Sequence, residues 1–131
     1  MSNKEKMKRW IPLFAWVVLI FGLSSIPEGP GDFIDWPEGT DKVVHFFEYG
    51  ILAILFSRGL GNDRWRRGVL IGLFVVLVGL AVSVLDELYQ SLVPGRDSSP
   101  ADFLADVAGV VTGALVMYVR WRASVRKAEN V

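Results

Sequence analysis

Four apolar runs alternate with polar segments along the chain, and they set its predicted architecture. The runs extend over about residues 10–26, 43–56, 69–85 and 103–119. A helix needs about 20 residues to cross about 30 Å of hydrocarbon, so polar helical turns must complete each span. We expect transmembrane helices at about residues 10–26, 41–57, 68–88 and 102–120, within a single domain of residues 1–131.

The third run decides between a membrane bundle and a soluble one. Residues 69–82 contain no polar side chain, whereas a helix of a soluble bundle shows polar residues recurring on one face. The whole chain has 131 residues, is 52% hydrophobic and has a mean hydropathy of +0.38. The predicted fold class is therefore all-α, an integral membrane bundle of four transmembrane helices.

The first run has a signal peptide as its alternative, because a basic segment with four lysines and arginines precedes it. Its apolar stretch is long, and the segment Ser24-Ser25-Ile26-Pro27 lacks the small-x-small pattern of a good cleavage site. These features favour an uncleaved first span.

Charge predicts the orientation of the bundle. Formal net charge is zero, but 12 of the 14 lysine and arginine residues lie in the amino-terminal segment, the second loop and the carboxy-terminal tail. Short loops rich in these residues mark the cytoplasmic side. We expect a multi-pass protein of the cell membrane with both termini cytoplasmic, and only Lys42 and Arg96 among the cations on the other side.

Ionisable and polar residues open the second span, close the third and open the fourth. In chain order they are Asp41, Lys42, His45, Glu48, Asp86, Glu87, Gln90, Asp102 and Asp106. Spans that alternate in direction bring these three ends to the same face. Charges in a bilayer are costly and are usually sheltered, paired and functional. The sequence predicts one polar pocket, open on the extracytoplasmic side.

A catalytic hypothesis centres on His45, the only histidine, as general acid or base, with Glu48, Asp86 and Glu87 sharing protons. Several adjacent carboxylates cannot all ionise cheaply, and a divalent cation is one way to neutralise them. Oxygen ligands from the acidic residues, with His45, suit Mg²⁺ or Mn²⁺ better than Zn²⁺. The chain has no cysteine and no familiar catalytic motif, so no particular cofactor is indicated.

A binding hypothesis uses the same face. The predicted ligand-binding residues are Asp41, Lys42, Tyr49, Gln90, Arg96, Asp102 and Asp106. The guanidinium of Arg96 can hold a carboxylate or phosphate through two parallel hydrogen bonds, although pairing with Asp86, Asp97 or Asp102 is an equal alternative. A purely structural network, in which Asp41, His45 and Glu48 satisfy one another, is the remaining alternative.

The pattern resembles that of a known family. The segments are Asp41-Lys42-x-x-His45-Phe46-x-x-Tyr49-x-x-Leu52, Asp86-Glu87-x-x-Gln90-x-x-x-Pro94-Gly95-Arg96 and Asp102-x-x-x-Asp106-x-x-Gly109-x-x-x-Gly113. Together they resemble the VanZ-like family of small bacterial membrane proteins. At the position of Asp106 that family commonly has asparagine, so this chain carries an additional ionisable group. The Gly109-x-x-x-Gly113 spacing predicts close helix approach.

The resemblance implies an envelope protein, since the best-known family member is associated with low-level resistance to the glycopeptide teicoplanin. The expected partners are membrane lipids and a lipid-linked cell-wall intermediate or glycopeptide, with no nucleic acid. Catalysis on a lipid-linked substrate stays open as the alternative. Ion transport is disfavoured because the inner halves of the spans are apolar.

Overall fold

The computed structural model describes residues 3–27, 37, 39–61, 68–96 and 99–130. Within these ranges the chain is all-helical. The four helices are α1 (Asn3–Ser24), α2 (Thr40–Leu60), α3 (Gly68–Gln90) and α4 (Pro100–Glu129). The bundle of four long helices predicted from the apolar runs is thereby confirmed.

The helices are longer than the apolar runs, because polar turns continue them at their ends. The 21 residues of α2 measure about 31 Å at 1.5 Å per residue, enough to cross the hydrocarbon of a bilayer. All four helices are long and apolar enough to span a membrane. The 30 residues of α4 measure about 45 Å, so its basic end extends beyond a single span. The carboxy-terminal tail expected after residue 120 is thus helical as far as Glu129.

Local signals account for the helix ends. Gly39 and Gly61 flank α2 with positive φ angles of 83° and 77°, a conformation that glycine adopts without steric cost. The hydroxyl of Ser99 accepts a hydrogen bond from the backbone N–H of Ala101, and Pro100 follows it as the first residue of α4.

Close backbone contact joins α2 to α4. A Cβ atom added to Gly109 would collide with the carbonyl oxygen of Phe46, and one added to Gly113 would collide with the carbonyl oxygen of Gly50. The Gly109-x-x-x-Gly113 seam predicted from sequence therefore meets a third glycine, Gly50, on the facing helix. This contact sets the register between the polar ends of α2 and α4.

The first helix packs mainly on α2. The ring of Trp10 lies against Gly59 and Phe56, and the indole N–H of Trp16 donates to the backbone carbonyl of Glu48 at 2.9 Å. Many large apolar side chains, such as Val18 and Leu77, point outward from the bundle. An apolar exterior around a partly polar interior is the arrangement expected of a protein whose solvent is lipid.

Candidate functional site

Buried polar side chains fill one end of the bundle, where α1 and α3 end and α2 and α4 begin. We call them the polar cluster. Its most buried members are Ser24, His45, Tyr49, Ser83, Asp86, Gln90, Asp102 and Asp106. They come from all four helices. Because an unpaired buried polar group is costly, most polar atoms of these side chains are expected to have partners inside the bundle.

The first part of the polar cluster links α2, α3 and α4. His45 Nδ1 lies 2.9 Å from Asp106 Oδ1, and the hydroxyl of Ser83 donates to Asp106 Oδ2 at 2.7 Å. Asp106 is completely buried, so this carboxylate depends on those two partners. With Nδ1 engaged, Nε2 is the ring nitrogen left for another group, and no described residue hydrogen-bonds it.

The second part lies against α1. The hydroxyl of Tyr49 and the amide of Gln90 each donate to Asp86 Oδ2 at 3.1 Å. The same amide lies 3.1 Å from the hydroxyl of Ser24, which ties the end of α1 to the site. Gln90 therefore connects Ser24 of α1 to Asp86 of its own helix, and Asp86 connects in turn to Tyr49 of α2.

Arg96 contacts Gln90 after the turn that follows α3. Gly95, with a φ of 79°, allows the chain to reverse after α3, and Arg96 Nε then donates to Gln90 Oε1 at 3.4 Å. The expected alternative of an ion pair with Asp86 or Asp102 is not observed among the described residues. Asp97 lies outside them. The guanidinium is instead positioned by an uncharged amide.

Lys42 occupies the rim of the polar cluster. Its ammonium group donates to Asp41 at 2.8 Å and to Asp102 at 3.2 Å. The Asp41 side chain is 55% exposed, whereas that of Asp102 is 7% exposed. Lys42 thus joins the beginnings of α2 and α4 and keeps part of its surface free.

Glu48 and Glu87 are partly buried, and no described residue hydrogen-bonds their side chains. Their position matters because several buried atoms of the site lack a hydrogen-bond partner among the described residues. These atoms are Asp86 Oδ1, Glu87 Oε1 and Arg96 Nη1. Two acceptors and one donor at the same end of the bundle therefore lack a hydrogen-bond partner among the described residues.

The structure thus brings together most of the residues singled out from sequence, and it places Asp41 at the edge. The predicted helical stripe of Asp41, His45 and Glu48 does not form an internal network, because His45 turns its ring to α4. Ser24 was missed, since a serine at the end of an apolar run carries little signal by itself. Ser83 could be recognised only by its helical spacing from Glu87 and Gln90.

An apolar cavity of about 170 Å³ lies deeper in the bundle, between α1, α2 and α3. Its lining residues are Leu13, Val17, Leu52, Ala53, Phe56, Val75, Val78, Gly79 and Val82. Leu52 follows Tyr49 by three residues, and Val82 directly precedes Ser83. The cavity consequently begins about one helical turn below the polar cluster.

Four long apolar helices with a buried polar cluster at one end define a small multi-pass membrane protein. The family model described as VanZ/LLP1 matches residues 2–121, nearly the whole chain. The chain therefore belongs to the VanZ/LLP1 family, which confirms the resemblance seen in its sequence motifs. No curated protein and no solved structure matches it.

Proposed function

We propose that this protein binds a phosphate-bearing lipid headgroup of the bacterial cell envelope in the polar cluster, and that this binding contributes to teicoplanin-type resistance. One observation carries the proposal: buried Arg96 Nη1, Asp86 Oδ1 and Glu87 Oε1 have no partner among the described residues. A guanidinium donates to phosphate, whereas carboxylate oxygens accept from hydroxyl or ammonium groups. A headgroup that carries both a phosphate and such donors complements all three atoms.

The cations of the site support an anionic ligand. Arg96 is held by the neutral Gln90, so its charge is not cancelled by a described carboxylate within ion-pair distance. Lys42 is at the rim, with 41% of its side chain exposed. Two cations at different depths suit a phosphate that enters from the membrane surface.

The apolar cavity supports a ligand with a hydrocarbon chain. It is lined by apolar side chains and begins about one helical turn from the polar cluster. A lipid places its headgroup and its chain in the same order along the membrane normal. Phosphatidylglycerol and the polyprenyl phosphates that carry cell-wall intermediates share a phosphate and a hydrocarbon chain, and their hydroxyl donors come from the glycerol headgroup or from the carried sugars.

The proposed orientation follows from charge. The described cations Lys4, Lys8, Arg9 and Arg58 lie at the end of the bundle away from the polar cluster. The positive-inside tendency would then place both termini in the cytoplasm and the polar cluster on the extracytoplasmic side. Cell-wall headgroups are accessible on that side of the membrane.

We expect Arg96→Ala to weaken binding of phosphate-bearing lipids by about tenfold or more, because charge-assisted hydrogen bonds contribute about 1.5–3 kcal/mol. Calorimetric titration of the detergent-solubilised protein with phosphatidylglycerol, a polyprenyl phosphate and a phosphate-free diacylglycerol measures this effect and separates the two lipid sources. Arg120→Ala is the matched control, since Arg120 is exposed and lies in the distant half of α4. Unchanged affinity in Arg96→Ala, or binding of teicoplanin in place of these lipids, would contradict the proposal.

The same titration tests whether the hydrocarbon chain of the lipid occupies the apolar cavity. Val78→Phe places an aromatic ring in the apolar cavity and reduces its volume. Lipid affinity should therefore fall several-fold, while affinity for soluble glycerol phosphate stays the same. Leu77→Phe is the control, because Leu77 is 65% exposed on the outer surface of the same turn. Equal effects of the two variants would exclude the cavity as the chain site.

Catalysis on a lipid-linked substrate is the second candidate, and the His45–Asp106 pair is the observation that favours it. A carboxylate on one ring nitrogen orients an imidazole for proton transfer at the other. His45→Ala should then abolish turnover of a polyprenyl-linked substrate while lipid binding persists. Full turnover in that variant would reject a catalytic role for His45.

A further inference from the structure

His45, Glu87 and Asp106 converge from three different helices. Each offers one potential ligand atom, and these atoms all lie within 4.8 Å of one another. Two ligand atoms on opposite sides of one cation, each at about 2.1 Å, are about 4.2 Å apart, and adjacent ones are about 3 Å apart. His45 Nδ1 and Asp106 Oδ1 are already 2.9 Å apart, the spacing of adjacent ligands, and a cation bound by both atoms would take the place of the hydrogen that they share. Glu87 is therefore close enough to complete a three-ligand site by a local adjustment of its side chain.

Uncompensated negative charge around these residues is the second observation. Glu87 Oε1 is buried without a partner among the described residues, and so is Asp86 Oδ1 on the preceding residue. Asp86 has no exposed surface. Neither carboxylate has a lysine or arginine within ion-pair distance in the described residues: Lys42 pairs with Asp41 and Asp102, and Arg96 donates to Gln90. Buried carboxylates that lack a cationic partner are expensive unless they are protonated or bind a cation.

The surroundings of Asp106 are those of an oriented ligand. Ser83 donates to Oδ2, which fixes the plane of the carboxylate and directs Oδ1 toward His45. Metal-binding carboxylates and imidazoles are commonly held in this way by a neighbouring hydrogen bond. The close packing of α2 on α4 through Gly109 and Gly50 also holds His45 and Asp106 in register.

We infer that His45, Glu87 and Asp106 bind one divalent transition-metal cation, with Mn²⁺ and Zn²⁺ as the best candidates. The sequence, with several carboxylates near His45, favoured Mg²⁺ or Mn²⁺ over Zn²⁺. The structure leaves one imidazole and two carboxylates as the ligand set, which suits Zn²⁺ better and Mg²⁺ less well, while Mn²⁺ still fits. A divalent cation at this position would offset the charges of Glu87 and Asp106 and would keep coordination positions free for an oxygen of another molecule. The inference does not depend on lipid binding.

Mn²⁺ is the probe of choice, because its free and bound forms give different electron paramagnetic resonance spectra. The full-length protein in phosphate-free detergent, without added lipid, should bind one Mn²⁺, and Zn²⁺ should displace it because Zn²⁺ binds such ligands more tightly. Glu87→Gln, Asp106→Asn and His45→Ala should each lower Mn²⁺ affinity by about tenfold or more. Glu129→Gln should leave it unchanged, because Glu129 is exposed at the far end of α4.

Circular dichroism of each variant establishes that its helices are intact, and Glu87→Gln is the most informative change because it preserves shape and removes only charge. No stoichiometric Mn²⁺ binding by the wild-type protein would overturn the inference. Equal Mn²⁺ affinity in the wild-type protein and folded Glu87→Gln would also overturn it. Because the Mn²⁺ measurement contains no lipid, a negative result does not contradict the headgroup proposal, which the lipid titration tests separately.

Discussion

Gly109→Ala is expected to lower the free energy of unfolding by about 3 kcal/mol, the upper part of the range for overpacking a close contact. The added Cβ would collide with the carbonyl oxygen of Phe46 and would lie 3.0 Å from the backbone nitrogen of Gly50. Backbone atoms cannot rotate away as the end of a flexible side chain can. The helices α2 and α4 would have to separate, and the distance between His45 on α2 and Asp106 on α4 would increase.

Gly72→Ala is the control for this prediction, because a Cβ added to Gly72 has no heavy atom within 4 Å. Alanine is the better helix former by about 1 kcal/mol, so this variant should be as stable as the wild-type protein or slightly more stable. Unfolding in detergent by added sodium dodecyl sulfate, followed by circular dichroism, compares the three proteins. Similar stability of Gly109→Ala and Gly72→Ala would show that the α2–α4 contact is not close-packed.

The His45–Asp106 pair is expected to show a favourable coupling of about 1.5 kcal/mol in a double-mutant cycle of His45→Ala and Asp106→Ala. This is near the upper end of the values for hydrogen bonds between membrane helices. The reason is burial, since the two side chains are only 7% and 0% exposed and compete little with water. The cycle is needed because Asp106→Ala also removes the acceptor of Ser83.

The Asp41–Lys42 pair provides the comparison for this cycle. Its side chains are 55% and 41% exposed, and exposed ion pairs contribute about 0–1 kcal/mol. Its coupling should therefore be smaller than that of His45 with Asp106. The same unfolding measurement serves both cycles, and a coupling near zero for His45 with Asp106 would contradict the buried pair described above.

The length and uniformity of the apolar runs made the helical fold predictable from sequence. A stretch such as residues 69–82, without any polar side chain, offers no polar face for a soluble bundle, and it lies within a predicted span of residues 68–88 that is long enough to cross a bilayer. The glycine spacing in α4 also predicted a close helix contact. The extension of α4 to Glu129 was not predicted. An apolar run indicates which residues lie in the membrane, but it does not indicate where a helix that continues beyond the membrane ends.

Candidate residues were predictable because alternating spans must bring the ends of α1 and α3 to the beginnings of α2 and α4. Their partners were not predictable. Helical periodicity places His45 on a face with Asp41 and Glu48, but it does not specify how neighbouring helices are rotated and shifted against one another. Packing through Gly50, Gly109 and Gly113 sets that register.

The sequence by itself thus determined the class of protein, the four helices and the end of the bundle at which polar residues gather, because hydrophobic length and charge are properties of single segments. Only the tertiary structure decided that His45 pairs with Asp106, that Gln90 connects Ser24, Asp86 and Arg96, and that Glu87 Oε1 is buried without a partner in the described part of the chain. These choices depend on contacts between helices that are distant in sequence. Shifting one helix by a few ångströms against its neighbour changes which side chains meet, and no local pattern of residues specifies that shift.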